Sequence, residues 1–137
     1  MKDKSEGFEH ADITKVIIGC AFEVMNELGP GFLESVYKKS LNILLLEEGF
    51  NVEEEYPLDV YFRDQKVGRF FADLIVEQKI VVELKAVSRL LPEHNAQTIH
   101  YLKASGLPVG LLFNFGQSRL DFKRLYPYGE YHPIKNP

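Results

Sequence analysis

Apolar residues first recur at helical spacing. Ile13, Val16, Ile17, Cys20, Ala21, Val24 and Leu28 fall on one stripe, with Asp12 placed as N-cap and Gly29-Pro30 ending the pattern. A second stripe of Leu33, Val36, Tyr37, Ser40, Leu41, Leu44 and Leu45 predicts a helix over 32–48 that stops at Gly49. The period then shortens to that of strands. Residues 51–56 and 58–63 read as strand material interrupted by Pro57, with Asp64-Gln65-Lys66 as a turn. Two apolar strands, 69–76 and 80–87, flank Glu77-Gln78-Lys79. Pro92 suits the first position of a helix over 92–105, closed by Gly106-Leu107-Pro108. The run VGLLFNF over 109–115 is a buried type of strand. The order strand, helix, strand predicts that it lies parallel to the 80–87 strand through a right-handed crossover. Gly116-Gln117-Ser118 turns the chain into an edge strand over 119–125. Residues 1–11 and 127–137 read as loose termini of one α/β domain spanning 1–137, without repeats or an interior linker.

The hairpin carries the candidate chemistry. If Val76 faces Ile80 across a three-residue loop, Asp73 stands opposite Glu83 on a shared face, with Cβ atoms about 5 Å apart. Lys85 points to the same face roughly 7 Å further along. Opposed carboxylates repel, and a divalent cation between them reverses the sign. The simplest alternative is a solvated hairpin face on which Lys85 softens that repulsion. Against it stand Phe70-Phe71, Val81-Val82 and Leu84, which mark strands covered on both faces, where an unpaired carboxylate is costly. Glu34 suits the first turn of its helix as a partner of the helix dipole. It also sits close in angle to Tyr37, Leu41 and Leu45, beside the buried stripe, where it is a candidate third metal ligand. Gln97 and Tyr101 lie one turn apart on the third helix.

Composition narrows the setting. The chain has 137 residues, 45% hydrophobic and 26% charged, which is the make-up of a globular domain with one core. No apolar run reaches the roughly 20 residues of a membrane helix, and the N-terminal segment lacks the apolar core of a secretory signal. Cys20 stands alone, which excludes an internal disulfide or cysteine zinc site and favours a reducing, cytoplasmic setting. A net charge of −4 argues against a protein that coats nucleic acid by bulk electrostatics. It leaves room for a nuclease with a local basic patch drawn from Lys38, Lys39, Arg89, Lys103, Arg119, Lys123 and Arg124.

GFLESVY at 31–37 carries the full signature of the GxxExxY proteins, and the resemblance continues through ADLIVEQKIVVELKA and QTIHYLKASGLPVGLLFNFG, from about Asp12 to Tyr126. That family is placed in the PD-(D/E)XK nuclease-like superfamily. The resemblance implies a restriction-endonuclease-like αβββαβ core, a central mixed sheet flanked by helices. Glu34 matches the helix-borne acid, Asp73 the aspartate of the PD motif, and Glu83 with Lys85 the (D/E)XK motif. Gln97 resembles the polar residue on the following helix. Ala72 stands where the name-giving proline would be. The resemblance implies the fold more firmly than an activity, since the superfamily includes catalytically silent binding proteins.

The leading expectation is a Mg²⁺-dependent phosphodiesterase acting on nucleic acid, DNA before RNA, with Mn²⁺ able to replace Mg²⁺. Asp73, Glu83, the Leu84 carbonyl and Glu34 (directly or through water) would hold the metal. Lys85 would position the water, Gln97 would support a ligand or the backbone, and Tyr101, Lys103 and Arg89 would meet substrate. The alternative is a silent module on the same fold that binds nucleic acid or a protein. A small-molecule phosphate enzyme is a third option, favoured by a closed apolar pocket. Short loops leave little surface to grip a duplex, and a homodimer is one way to supply more.

Overall fold

The computed structural model describes residues 9–130. The elements run α1 (Ala11–Leu28), α2 (Glu34–Glu47), β1 (Val52–Phe62), β2 (Gln65–Val76), β3 (Ile80–Lys85), α3 (Pro92–Ser105), β4 (Val109–Asn114), β5 (Asp121–Tyr126) and β6 (Gly129–Glu130). The strands form one sheet in the order β1-β2-β3-β4-β5-β6. β3 and β4 are parallel, as the strand–helix–strand order predicts, and the other neighbouring pairs are antiparallel. The fold is the expected α/β, restriction-endonuclease-like arrangement of a mixed sheet between helices.

Several boundaries differ from the sequence expectation, each for a local reason. Pro57 does not interrupt β1, because β1 is an edge strand, where a missing N–H can face solvent. The β1–β2 turn falls on Arg63-Asp64 rather than on 64–66. Both residues adopt left-handed φ (50° and 65°), the backbone of a tight hairpin turn normally flagged by Gly or Asn. Glu77 and Gln78 repeat this in the β2–β3 turn, at φ 54° each. Asp12 lies inside α1, whose N-cap is His10. Strand structure continues past residue 126 into β6, so β5 is not the edge. Residues 1–8 and 131–137, where the sequence anticipates loose termini, lie outside the described residues.

Two cores sandwich the sheet. On one face Ile17, Ala21 and Val24 of α1 and Tyr37, Leu41 and Leu45 of α2 pack on Leu74, Val76, Ile80, Val82, Leu84, Leu111 and Phe113. On the other, Tyr101 and Leu102 of α3 pack on Leu58, Ala72, Ile75, Val81 and Leu112. α3 lies so close to β4 that a Cβ added at Gly110 would come within 3.0 Å of the Thr98 methyl carbon.

Strand alternation should put Ala72, Leu74 and Val76 on one face. Leu74 and Val76 instead face α1 and α2, while Ala72 faces α3. The faces invert at Asp73. β1 inverts alongside it, with Val52 against the first core and Leu58 in the second. Between them lies Glu55, at φ 49°, flanked by the pairs Glu54↔Leu74 and Tyr56↔Ala72. Two neighbouring strands exchange their faces beside Asp73, the residue that the sequence singles out.

Candidate metal site

β2 and β3 are laddered from Val76↔Ile80 to Leu74↔Val82. One residue further, side chains replace the ladder. The Asp73 N–H donates to Glu83 Oε2 at 2.7 Å, and the Leu84 N–H donates to Asp73 Oδ2 at 2.9 Å. The expected opposition of Asp73 and Glu83 is thus held by a reciprocal pair of charge-assisted hydrogen bonds. Each carboxylate spends one oxygen on the partner strand.

The electrostatics of this pair are unfavourable as they stand. Glu83 is 3% exposed. Burial first, and the charge of Asp73 second, push its carboxyl up to about 8, with Lys85 offsetting only part. Burial likewise raises Asp73. The Leu84 N–H and the ammonium groups of Lys38 and Lys85 pull it back, while Glu55 adds to the rise. Two partly buried carboxylates without a full counter-charge suit a hard divalent cation, which is commonly held by one or two carboxylates with water completing the shell. The donor set therefore fits Mg²⁺ or Mn²⁺. Among the described residues, no three His, Cys, Asp or Glu side chains are gathered closely enough to hold an ion together, so the acidic centre is a pair.

Asp73 opens into a cavity of about 280 Å³ that it shares with Glu34, Ser35, Lys38, Glu55 and Leu84. Glu34 is the first residue of α2, where the helix dipole favours a carboxylate. Its place is set by Tyr37. That hydroxyl donates to the Gly29 carbonyl at 2.6 Å and accepts from the Phe32 N–H at 3.2 Å, closing the Gly29-Pro30-Gly31 bend. The Tyr37 ring is fully buried and stacks on Phe115 with centroids 4.6 Å apart.

Two cavity residues escape sequence reasoning. Glu55 is the last of three consecutive glutamates on β1, and nothing in that run marks it out. Lys38 is visible only as one basic residue among several. In the fold they form an ion pair. Burial works against the Lys38 charge, yet the hydrogen bond that it donates to Glu55, with Asp73 and Glu54 nearby, holds its ammonium above the usual lysine range. A cation of the chain itself therefore stands beside Asp73.

The other anticipated residues fall in several places. Lys85 is half-buried at the end of β3 and acts electrostatically on both Asp73 and Glu83. Leu84 lines the cavity and gives its N–H to Asp73. Gln97 is half-buried on α3. Tyr101 is 6% exposed, and burial followed by the charges of Glu83 and Asp73 raises its phenol to about 12, which places it beside the pair. Arg89 and Lys103 are exposed outside the cavity. Arg124, counted among the basic candidates, donates to Thr14 Oγ1 at 2.7 Å on the α1 side.

The chain just after Lys85 is clamped. The Phe115 N–H donates to the Lys85 carbonyl at 2.8 Å. The fully buried Asn114 side chain accepts from the Val87 N–H and donates to the Val87 carbonyl, both at 3.0 Å. Gly116 passes so close that a Cβ there would lie 2.2 Å from the Val87 carbonyl oxygen.

A family model described as the PD-(D/E)XK nuclease superfamily matches residues 11–125. A solved structure titled "Crystal structure of SSO0001" is 19% identical over 84% of this chain and 78% of that chain, with a TM-score of 0.47. No curated protein matches the sequence.

Proposed function

Because the chain belongs to the PD-(D/E)XK nuclease superfamily, we propose that it is a Mg²⁺-dependent nuclease, a member of the GxxExxY group within that superfamily, that hydrolyses DNA in preference to RNA. The observation that carries the reading is the interlocked, under-neutralised pair of Asp73 and Glu83. A fold gains nothing in stability from two such carboxylates side by side, so their burial calls for a bound cation. Asp73 and Glu83 would hold the ion, with the Leu84 carbonyl and, through water, Glu34. The ion would supply Lewis-acid stabilisation and an activated water.

The remaining roles belong to the chain itself. Lys85 holds positive charge against the pair and orients the attacking water. Lys38, released from Glu55, neutralises a non-bridging phosphate oxygen at the cavity mouth. Tyr101 and Gln97 back the pair from α3.

Calorimetry with Mg²⁺ and Mn²⁺ on the wild type and on Asp73→Asn tests this, together with a cleavage screen over single-stranded, duplex and branched DNA and RNA. Binding by the wild type alone, with cleavage of at least one form, is the expected result. Equal heats for both proteins with no cleavage would overturn it. The ion pair of Lys38 and Glu55 favours a second reading, a catalytically silent module in which Lys38 serves as permanent counter-ion to Asp73. Ion-independent nucleic-acid binding without cleavage would select it.

A further inference from the structure

We propose that the groove between the β1–β2 arm and α3 holds single-stranded nucleic acid, stacking unpaired bases on Tyr61 and Phe70 while Lys103 meets the phosphates. The proposal rests on the reading of this chain as one that meets nucleic acid, and it names the form of that substrate.

β1 and β2 pair along their whole length, but β2 is laddered to β3 only from Leu74 onward. The distal part of the hairpin therefore projects from the sheet as a two-stranded arm. Its large rings lie open: Tyr61 is 61% exposed, Phe62 63%, Phe70 46% and Phe71 51%. Phe70-Phe71 does not mark a strand covered on both faces as its sequence suggests, because this part of β2 lies beyond the ladder to β3. Single exposed apolar residues are ordinary on a soluble domain; strand alternation turns Phe62 and Phe71 to the other face, and Tyr61 and Phe70 share the side toward α3.

A groove of about 630 Å³ runs between this arm and α3, with Tyr61 and Phe70 on one wall and His100 and Lys103 on the other. That volume is typical of a ligand site. Asp59 is the carboxylate that lines it, and it is covered twice, by Arg69 at 2.7 Å and Lys66 at 3.4 Å. The local balance is positive although the chain as a whole is acidic. At the arm tip the Arg63 guanidinium lies 5.3 Å from the centre of the Phe62 ring. Rings interleaved with cations form the standard platform for single strands, because every unpaired base offers a π-face and every nucleotide a charge. Bases inside a duplex have both faces covered, so this groove discriminates against them.

The groove and the acidic pair are joined through β2, although the cavity at Asp73 opens toward α2 and the groove lies on the α3 side. The Phe70 ring packs 5.9 Å from Tyr101, whose phenol feels the charges of Glu83 and Asp73. Phe70 lies three residues before Asp73 on the same strand.

Fluorescence anisotropy on the full chain, with a labelled single-stranded oligonucleotide and its blunt duplex in EDTA, tests the proposal without the ion. Single strand is expected to bind about tenfold tighter than duplex. Phe70→Leu, which keeps apolar volume against Tyr101, is expected to weaken single-strand binding about tenfold, and Phe70→Trp to restore it. Lys103→Gln is expected to reduce the slope of log affinity against log salt by about 0.7. Duplex binding that equals or exceeds single-strand binding, no binding of either, or an unchanged affinity in Phe70→Leu would each overturn the proposal. Sedimentation of the same variants closes the remaining alternative. If Phe70→Leu turns a dimer into a monomer and leaves oligonucleotide binding intact, the face is a contact between copies and the proposal fails. Asp73→Asn separates this claim from the catalytic one, since it is expected to lose ion binding and keep single-strand preference. A wild type that selects single strands but binds no ion removes the nuclease reading and leaves the groove.

Discussion

At Asp73 and Glu83 burial works against the charged form of both carboxylates. A carboxyl whose folded value is raised binds its proton more tightly in the fold than in the unfolded chain. For Glu83 the contribution is therefore fully present below the ordinary value of 4.5 and is lost as pH rises through about 8. The metal-free protein should lose thermal stability across that window, and Glu83→Gln should flatten the loss, because the amide oxygen still accepts from the Asp73 N–H. Melting curves in EDTA at a series of pH values read this directly. A wild type as steep as Glu83→Gln would mean that the pair is not strained. Ion affinity should move the opposite way, rising with pH as the competing proton leaves. The identity of this pair was legible in the sequence, since counting outward from a three-residue loop is local arithmetic. Glu55 was not legible. Its left-handed backbone and its bond to Lys38 depend on where a helix from earlier in the chain comes to rest.

Elements position these residues through a few buried polar contacts. Tyr37→Phe removes the hydroxyl that ties the Gly29 carbonyl to the Phe32 N–H and leaves the ring stack with Phe115 intact. It should cost about 1–3 kcal/mol in denaturant unfolding, the range for stranded hydrogen-bond partners. It should also weaken ion binding, because the bend it closes sets the start of α2 and hence Glu34. An ion affinity equal to wild type would separate Glu34 from the site. Gly116→Ala forces a Cβ against the Val87 backbone and must displace the segment after Lys85. It should destabilise by at least the 1–3 kcal/mol typical of overpacking. Where turnover can be measured in the folded variant, it should fall with little change in ion affinity. Element order and type were read well from periodicity, and α3 matches its expected span of 92–105. The misplaced β1–β2 turn shows the limit. Asp64 is a residue that tolerates left-handed backbone, but Arg63 takes it without any signal in its side chain, imposed by the register of the strands it joins.

At the scale of the molecule, a bound ion should act as part of the fold. A ligand that binds only the native state at a hundred times its dissociation constant stabilises by about 2.7 kcal/mol, so Mg²⁺ or Mn²⁺ should raise the melting temperature of the wild type. The increment should vanish in both Asp73→Asn and Glu83→Gln, and those variants should melt above the wild type in EDTA. An increment that survives in them would place the ion elsewhere. The sequence by itself determined the succession of helices and strands, the parallel placement of β4 beside β3, and the meeting of Asp73 with Glu83. Each of these follows from short-range period, turn length or chain direction. Only the tertiary structure decided that two strands invert their faces at the acidic pair, that Lys38 and Glu55 close on its cavity, and that an aromatic arm stands over α3. These depend on how far one packed layer sits from another, which is set by the packing of whole cores and not by any neighbouring pair of letters.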